Sequence, residues 1–529
     1  MSLASVRRES AWTPLAEPAF RAIWTASVVS NVGTWMQNVG VAWLMTTLTP
    51  SPLLVALIQT ATSLPVLLVG LPAGALADLI DRRRLLLVSQ TWMLLAAAAL
   101  GALTLAGSVT PTALLVLTFA LGLGAAANGP AWQAIIPELV PRPKLASAVA
   151  LNGAGFNMAR AVGPALGGLL VAAAGPAFVF ILNAISFLAT LVVLYRWRRL
   201  PSTRRGPTEH LGEALSAGLR YVRFAPALRV LLGRSAIFVL CASALWALLP
   251  IVARQRLGLD SSGYGLLLAC LGIGAVSGAF LLPQLRALLP LDWLVAAASV
   301  VFGLGTLALG WVDSLPLIAL ALAASGVAWL TVMSSFNLAA QTIAPAWVRA
   351  RVIGTYLLVS QGGLAGGSFF WGVVADRLTL SVALLVAAGG LALGVAAAPV
   401  WRLQRGERLD LRPSTHMDEV SGLNGDLEAG PGRVLVTAEY SVLDANRDEF
   451  KRAMQQLRVV RRRDGALRWG LFYDPAEPEH FVETFVVGSW AEHLRQHDRS
   501  TMADRAVEQR VHSLAAGPPR IRHLLAAYG

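Results

Sequence analysis

Charged residues are scarce in this chain, at 14% of the sequence, against about 25% in an average soluble domain. Hydrophobic residues make up 56% of it, which excludes a water-soluble fold for most of its length. From residue 404 onward, 18 Lys and Arg residues stand against 19 Asp and Glu residues, a net charge of −1. Since the whole chain carries +13, the part before residue 404 carries +14. We interpret this excess as a topology signal and expect no nucleic-acid partner.

Cysteine and known cofactor motifs are also nearly absent. The only two cysteines, Cys241 and Cys270, lie inside apolar stretches, where we expect small buried side chains. No Gly-x-x-x-x-Gly-Lys-Ser/Thr loop occurs, so direct coupling to ATP has no support in the sequence. We predict no cofactor, no catalytic residue and no metal site.

The sequence contains many long apolar stretches. Each is about as long as the roughly 20 residues that cross a bilayer as a helix. A backbone in lipid must satisfy its own hydrogen bonds, so these stretches predict an all-α membrane bundle. We count twelve spans, at residues 20–45, 53–77, 85–106, 112–136, 145–174, 176–195, 228–253, 263–289, 291–312, 315–343, 352–375 and 379–403.

The loops between these spans alternate in charge. One set is rich in arginine, as in residues 82–84 and 196–223, whereas the other set holds only Arg254, Arg256 and Arg377. By the positive-inside rule the basic set is cytoplasmic. An even number of spans then predicts a multi-pass protein of the cell membrane with both termini in the cytoplasm.

The two halves of the membrane region resemble each other. The basic segment 196–227 separates six predicted spans from six others. A shift of 208 residues lays the Gln-x-x-x-Pro motif at Gln133 on the one at Gln341. Two parallel six-helix repeats with a substrate site between them are a recognised transporter architecture. We predict this organisation: N-terminus 1–19, repeats 20–195 and 228–403, loop 196–227, linker 404–432 and soluble domain 433–529.

The loop after the second span carries the first motif. From Gly74 it reads Gly-Ala-Leu-Ala-Asp-Leu-Ile-Asp-Arg-Arg-Arg. It is similar to the cytoplasmic signature Gly-x-x-x-Asp-Arg-x-Gly-Arg-Arg of the major facilitator superfamily, from which Leu79 and Asp81 depart. The resemblance implies a charged latch that gates the cytoplasmic side, formed by Gly74, Asp78, Asp81, Arg82 and Arg83. The alternative is a solvated loop whose arginines only set the topology.

The fifth span carries the second motif. Small residues recur in it every four positions, which predicts close contact with another helix. A proline within the stripe can kink the helix. The Gly-Pro pair is similar to the antiporter signature of exporters in the same superfamily, which implies outward transport. The residues are Gly155, Ala159, Gly163, Pro164, Gly167 and Gly168.

Further segments narrow the resemblance. The run from Ser30 to Asn38, the loop from Pro137 to Arg142 and the segment from Asn157 to Arg160 resemble the enterobactin-exporter-type branch, whose bacterial members with a C-terminal extension are called transmembrane secretion effectors. This resemblance implies a secondary transporter that exports an amphipathic small molecule, siderophore-like or a drug, by alternating access with proton coupling. No histidine lies in any span, and Asp78, Glu138, Asp292 and Asp376 all sit at or near span ends, so the sequence shows no buried titratable relay.

Polar residues at lipid depth mark the expected substrate cavity. They are costly in a membrane and usually face a cavity, although an interhelical hydrogen bond is the alternative for each. A charge such as Arg160 costs about 2.5–3.5 kcal/mol there, so it should find a partner or a ligand. The predicted lining is Asn31, Trp35, Gln37, Asn38, Trp132, Gln133, Asn157, Arg160, Trp246, Asn337 and Gln341.

The C-terminal part reads as a soluble domain. Its pattern of strands and amphipathic helices predicts the order β-α-β-β-α-β, with one helix over residues 490–510, a ferredoxin-like α+β fold. It resembles the small domains of antibiotic-biosynthesis monooxygenases, so an alternative function is a membrane-tethered enzyme. We favour a regulatory or dimerising module. His493 and His497 have the spacing of metal ligands, but no third ligand is apparent and their charged neighbours suggest a solvated helix face.

Overall fold

A computed structural model describes most of the chain. It covers residues 12–197, 220–403, 410–412, 414 and 432–526, without the side chains of residues 71, 75–79 and 498. Much of the predicted basic loop and linker lies outside the described residues. The described residues belong to two compact units. One holds residues 12–197, 234–336 and 357–402, and the other holds 220–233, 337–356 and the part from 403 onward.

Twelve helices occupy the membrane region of the described chain. Prolines begin several of them, where the missing N–H is not needed and the fixed φ suits a helix. The helices are α1 (Pro18–Leu48), α2 (Pro52–Leu79), α3 (Arg82–Leu105), α4 (Pro111–Leu139), α5 (Leu145–Ala174), α6 (Pro176–Arg196), α7 (Pro226–Ile251), α8 (Ser261–Leu288), α9 (Leu291–Trp311), α10 (Leu315–Ile343), α11 (Arg349–Arg377) and α12 (Leu380–Ala396).

Ten of the described helices are long and apolar enough to cross a membrane. The first helix has 31 residues but is rich in Ser, Thr, Asn and Gln. The last has 17 residues, fewer than the 25 predicted for residues 379–403, because it ends at Ala396 and the chain turns over residues 397–400. The structure is therefore mostly helical with at least ten spans, and a count of twelve stays a prediction.

Helix starts follow the internal shift in the first three helices of each half, whereas α10, α11 and α12 begin 204 residues after α4, α5 and α6. Helix α1 begins at Pro18 and α7 begins 208 residues later, at Pro226. Helices α2 and α8 begin at Pro52 and Ser261, and α3 and α9 at Arg82 and Leu291, each within one residue of the same shift. The two halves are thus built on one helix plan.

The C-terminal domain is a four-stranded antiparallel sheet covered by helices. Alternate residues of β1 and β3 are buried, as expected for strands with one face on a core. The strand order is β2-β3-β1-β4. The elements are β1 (Val434–Ser441), α13 (Arg447–Asp464), β2 (Arg468–Tyr473), β3 (His480–Val487), α14 (Trp490–Arg499), α15 (Met502–Leu514) and β4 (Arg520–Leu525).

One predicted element of this domain is wrong. The sequence suggested a single helix over residues 490–510, but the structure breaks it at Ser500 and Thr501. Thr501 caps α15: its hydroxyl accepts from the Asp504 N–H, while the Asp504 carboxylate accepts from the Thr501 N–H. This capping box starts a new helix where the apolar periodicity alone continues the old one.

Candidate functional site

A cavity of about 560 Å³ lies within the first six-helix half. Its described lining contains amides, hydroxyls, Trp132 and Phe156, and no charged side chain. Six predicted residues line it: Asn31, Gln37, Asn38, Trp132, Gln133 and Asn157. Such a lining suits a bulky uncharged or amphipathic surface better than a small, highly charged one.

Hydrogen bonds between helices hold the polar wall in place. Asn183 of α6 donates to the Gln37 side-chain oxygen of α1 at 2.5 Å, and both residues are buried. Gln90 of α3 donates to Asn128 of α4 at 3.2 Å, while its own Oε1 is buried without a partner. The prediction missed Gln90 and Asn183, although both are amides within apolar spans. The unpaired oxygen offers an acceptor to a ligand donor.

Arg160 lies between two tryptophans outside this lining. Its guanidinium carbon is 5.8 Å from the Trp35 ring centroid and 5.6 Å from that of Trp246. Trp35 belongs to α1 and Trp246 to α7, so the cluster joins the two halves. Buried cation–π contacts contribute up to about 2 kcal/mol. The Arg160 Nε and the Trp246 Nε1 are buried without a hydrogen-bond acceptor.

The remaining two predicted cavity residues pair with each other. The Gln341 amide donates to the Asn337 side-chain oxygen one turn earlier on α10. Both belong to the second compact unit, which also contains the C-terminal domain. Their part in substrate binding stays a prediction.

The small-residue stripe of α5 packs against other helices. A Cβ atom at Gly167 would lie 2.8 Å from the Met36 Cα, and one at Gly163 would lie 3.2 Å from the Val32 carbonyl oxygen. A Cβ at Gly155 would also meet α1, at Trp24 and Val28. Ala159 and Pro164 are buried in the same helix. Only residues without a large side chain permit this approach of α5 to α1.

The two halves also meet closely through α5 and α8. A Cβ at Gly168 would lie 2.7 Å from the Gly265 Cα, too near for any side chain. At the same end of the bundle, Arg254 stacks over Trp43 at 5.7 Å and Ser51 donates to Asp376 at 2.7 Å. The halves are therefore joined at the end opposite the loop of residues 80–82.

The loop between α2 and α3 forms a charged cluster. Arg82 donates to the Glu138 carboxylate at 2.8 Å and to the Ala134 carbonyl at 3.0 Å, both on α4. Arg83 donates to the Leu194 carbonyl of α6 at 3.0 Å. The Asp81 carboxylate accepts from the Arg84 N–H and so caps α3. Sequence reasoning did not identify Glu138 as the partner of Arg82.

For Gly74 and Asp78, two residues of the predicted latch, the structure describes no contact in this cluster. A Cβ at Gly74 would meet no atom within 4 Å, so close packing does not require glycine there. The side chain of Asp78 lies outside the described residues.

The C-terminal domain contacts chain segments that precede α7 and α11. Arg220 donates to Glu492 at 2.9 Å, and the Arg499 guanidinium lies 4.8 Å from the Trp347 ring centroid. Tyr221 is only 3% exposed and packs edge-to-face on Trp347 at 5.6 Å. These contacts tie two loops of the second half to one folded domain.

The interpretation of the histidine pair as part of a solvated face is wrong. His493 is 3% exposed, because α14 turns it toward the sheet while Glu492 and Arg495 pair with each other beside it. Within the described part of the chain, no group of three side chains has the geometry of a metal site.

Comparisons with known proteins agree with this architecture. The multidrug efflux pump Tap of Mycolicibacterium fortuitum is 28% identical over 392 residues, covering 72% of this chain and 95% of that protein. The enterobactin exporter EntS of Salmonella choleraesuis is 30% identical over 51% of this chain and 64% of its own length. The staphyloferrin A transporter of Staphylococcus aureus is 23% identical over 54% of this chain and 71% of that protein.

Solved structures show the same fold. An inward-facing bacterial homologue of the iron transporter ferroportin matches with a TM-score of 0.58 at 16% identity, over 73% of this chain and 98% of its own. An inward-facing bacterial homologue of Spinster matches with a TM-score of 0.56 at 16% identity, over 74% and 95%. The family described as transmembrane secretion effector matches residues 9–528. The chain therefore belongs to the transmembrane secretion effectors, a multi-pass membrane transporter family of the major facilitator superfamily.

Proposed function

We propose that this protein exports an amphipathic small molecule, a drug or a siderophore-like metabolite. The observation that carries this proposal is the 560 Å³ cavity, which is lined by amides, hydroxyls and aromatic rings without a charge. Relatives named as a multidrug efflux pump and an enterobactin exporter support the substrate class and the outward direction. A relative named as a staphyloferrin A transporter supports the substrate class.

Alternating access is the mechanism that we infer for export. If the basic loops face the cytoplasm, the joined end near Arg254 and Asp376 is the outer end. Release of substrate then requires breaking the Arg254–Trp43 and Asp376–Ser51 contacts. Both termini lie in the cytoplasm in this arrangement. Arg82 and its partner Glu138 would act in closing the inner end.

Substrate recognition would combine acceptors and donors at two places. The unpaired Gln90 Oε1 in the cavity suits a ligand donor, whereas the unpaired N–H groups of Arg160 and Trp246 suit a carbonyl or an anionic group. Proton coupling is what the family resemblance implies for this protein. Since the described cavity lining has no titratable group, the proton carrier would have to lie elsewhere, as Asp376 does at the joined end.

A regulatory role suits the C-terminal domain. Its contacts with Tyr221 and Trp347 place it on the loops that lead into α7 and α11, where it can restrain their motion. Dimerisation through this domain stays a prediction. The alternative of a tethered enzyme predicts that removal of residues 413–529 abolishes function. We expect reduced but measurable export, because the cavity is built by residues 27–190.

An accumulation assay tests the proposal. Cells with and without the protein are exposed to a chemically diverse panel of amphipathic compounds, and retained compound is measured. We expect several-fold lower accumulation of at least one compound. Gln37→Leu should restore accumulation, whereas Gln59→Leu, a glutamine of α2 outside the cavity lining, should not. A panel in which no compound responds to the protein would overturn the proposal.

A further inference from the structure

A second cavity, of about 330 Å³, lies inside the C-terminal domain. It is bounded by the sheet on one side and by α13, α14 and α15 on the other. Val436, Ala438, Phe485 and Ile521 form an apolar floor on the sheet. The volume is at the lower end of the range of pockets that hold small organic ligands, about 300–1,000 Å³.

The charged side chains in this wall are already paired. Arg461 donates to Glu508 at 2.8 Å and lies 3.5 Å from Glu483, which is fully buried. The same arginine lowers the pKa of the Glu508 carboxyl and keeps it ionised. Arg463 pairs with Asp464 at 2.8 Å and with Asp504 at 2.7 Å. The four carboxylates outnumber the two arginines but already accept hydrogen bonds, Glu483 also from Tyr440 and Trp469 and Asp504 also from Thr501. A charged ligand would have to displace one of these partners, so the cavity suits an uncharged molecule.

Two polar groups of α14 have no protein partner. His493 is 3% exposed, and its Nδ1 lies 3.3 Å from the Gln496 Oε1. The His493 Nε2 and the Gln496 Nε2 are both buried and have no hydrogen-bond partner. Leaving a buried polar atom unpaired costs about 1–3 kcal/mol, which a ligand could recover.

The two unpaired atoms are one hydrogen-bond acceptor and one donor. Burial lowers the pKa of His493 to about 4, so the ring is neutral near pH 7. A neutral ring that donates from Nδ1 to the Gln496 oxygen leaves the His493 Nε2 as an acceptor, while the Gln496 amide keeps its N–H donors. Reversing the amide would exchange the two roles and would still leave one donor and one acceptor.

Flat rings surround this pair. The His493 ring centroid lies 5.0 Å from that of His497 and 4.9 Å from that of His523, and all three residues line the cavity. We propose that this cavity binds a small, flat, uncharged molecule that presents a hydrogen-bond donor beside an acceptor, as a lactam does. The site is distinct from the cavity among α1–α6.

The probe for this site is 2-quinolone, an uncharged bicyclic lactam whose N–H stands beside its carbonyl. Its matched control is 1-methyl-2-quinolone, which lacks the donor. Binding to the full-length protein in nanodiscs is measured by calorimetry, and hydrogen exchange of residues 432–526 locates it. We expect protection of α14 by 2-quinolone and at least roughly tenfold weaker binding of the methylated control, the effect of losing one buried hydrogen bond.

Variants complete the test. His493→Phe keeps a ring but removes the acceptor, and Gln496→Leu removes the donor. Each should weaken 2-quinolone binding about tenfold or more. His480→Phe, a histidine of β3 outside the cavity, should bind like the unaltered protein. Should His493→Phe fail to fold, as judged by exchange without probe, Gln496→Leu and the methylated control decide. Equal affinity in all proteins, or no protection of α14 at about 1 mM probe, would overturn the proposal.

Discussion

The two six-helix halves share an order of helices, yet their interiors are filled differently. In the first half, Ser30, Leu121 and Asn128 border the open cavity. The positions 208 residues later are Phe238, Trp329 and Phe336. The Phe238 ring centroid lies 5.9 Å from that of Trp329, 6.5 Å from that of Phe336 and 5.6 Å from that of Phe302. One repeat thus keeps polar space where the other is packed with aromatic side chains.

The two halves also differ in which helices their ion pairs connect. Arg82, at the start of α3, pairs with Glu138 of α4. Asp292, at the start of α9, pairs with Arg234 of α7, which also donates to the Trp401 carbonyl at 3.1 Å. The third helix is therefore held to the fourth in one half and to the first in the other. The two halves therefore share an order of helices without sharing these contacts.

The largest effect on export should come from filling the α1–α5 contact. Gly163→Leu and Gly167→Leu each force a side chain into the α1 backbone, and overpacking of this kind costs about 1–3 kcal/mol or more. We expect loss of export and a lower melting temperature in detergent. Gly389→Leu in α12 of the second half is the matched control, because a Cβ there meets no atom within 4 Å. Wild-type export by both α5 variants would show that the contact is dispensable.

Exchanging residues between the halves should have the next largest effect. Asn128→Phe gives the first half the residue of the second at that position, and we expect export to be lost while the protein still folds. The reverse change, Phe336→Asn, removes a buried ring and should lower stability by about 3–5 kcal/mol. Efflux and melting temperature are measured for both. Normal efflux by Asn128→Phe would mean that the open space is not the substrate path.

Arg160 should show an intermediate effect. Lys keeps the charge but loses the planar fork of donors, so Arg160→Lys should weaken export of an anionic or carbonyl-rich substrate. Arg160→Gln should be worse, because the cation–π contacts with Trp35 and Trp246 also disappear. Efflux of several substrates is compared with melting temperature. A uniform loss for every substrate with lower melting would assign the residue to the scaffold instead.

The smallest effect should come from the ion pairs. Glu138→Gln leaves Arg82 without its acid partner and should slow transport two- to tenfold, about 0.4–1.4 kcal/mol, if the latch acts in gating. Asp292→Asn breaks the corresponding pair of the second half and should act mainly on stability. Transport rate at equal membrane abundance is the measurement. Identical rates for Glu138→Gln and the unaltered protein would leave this pair without a role in gating.

The sequence predicted the membrane helices well because apolar length and loop charge report them directly. Helix ends with a local signal, such as Pro18 and Pro226, lie within a few residues of the prediction. Six of the predicted polar residues do share one cavity. Gln90 and Asn183 were missed, because a single amide in a span does not reveal which helix it faces. The buried position of His493 was missed for a related reason: its charged sequence neighbours turn away from it only once the sheet is present.

The aromatic filling of the second half bears on how such a transporter acquires new cargo. Phe238, Phe302 and Trp329 each contact the other two, so replacing any one leaves a hole that the others cannot close. Residues that line the cavity of the first half have open space beside them, so a substitution there does not break into a closed aromatic cluster. If the cavity of the first half binds the substrate, as we propose, selection for a different substrate has most freedom in that half. The capacity to accept substitutions is therefore unevenly distributed between the two halves.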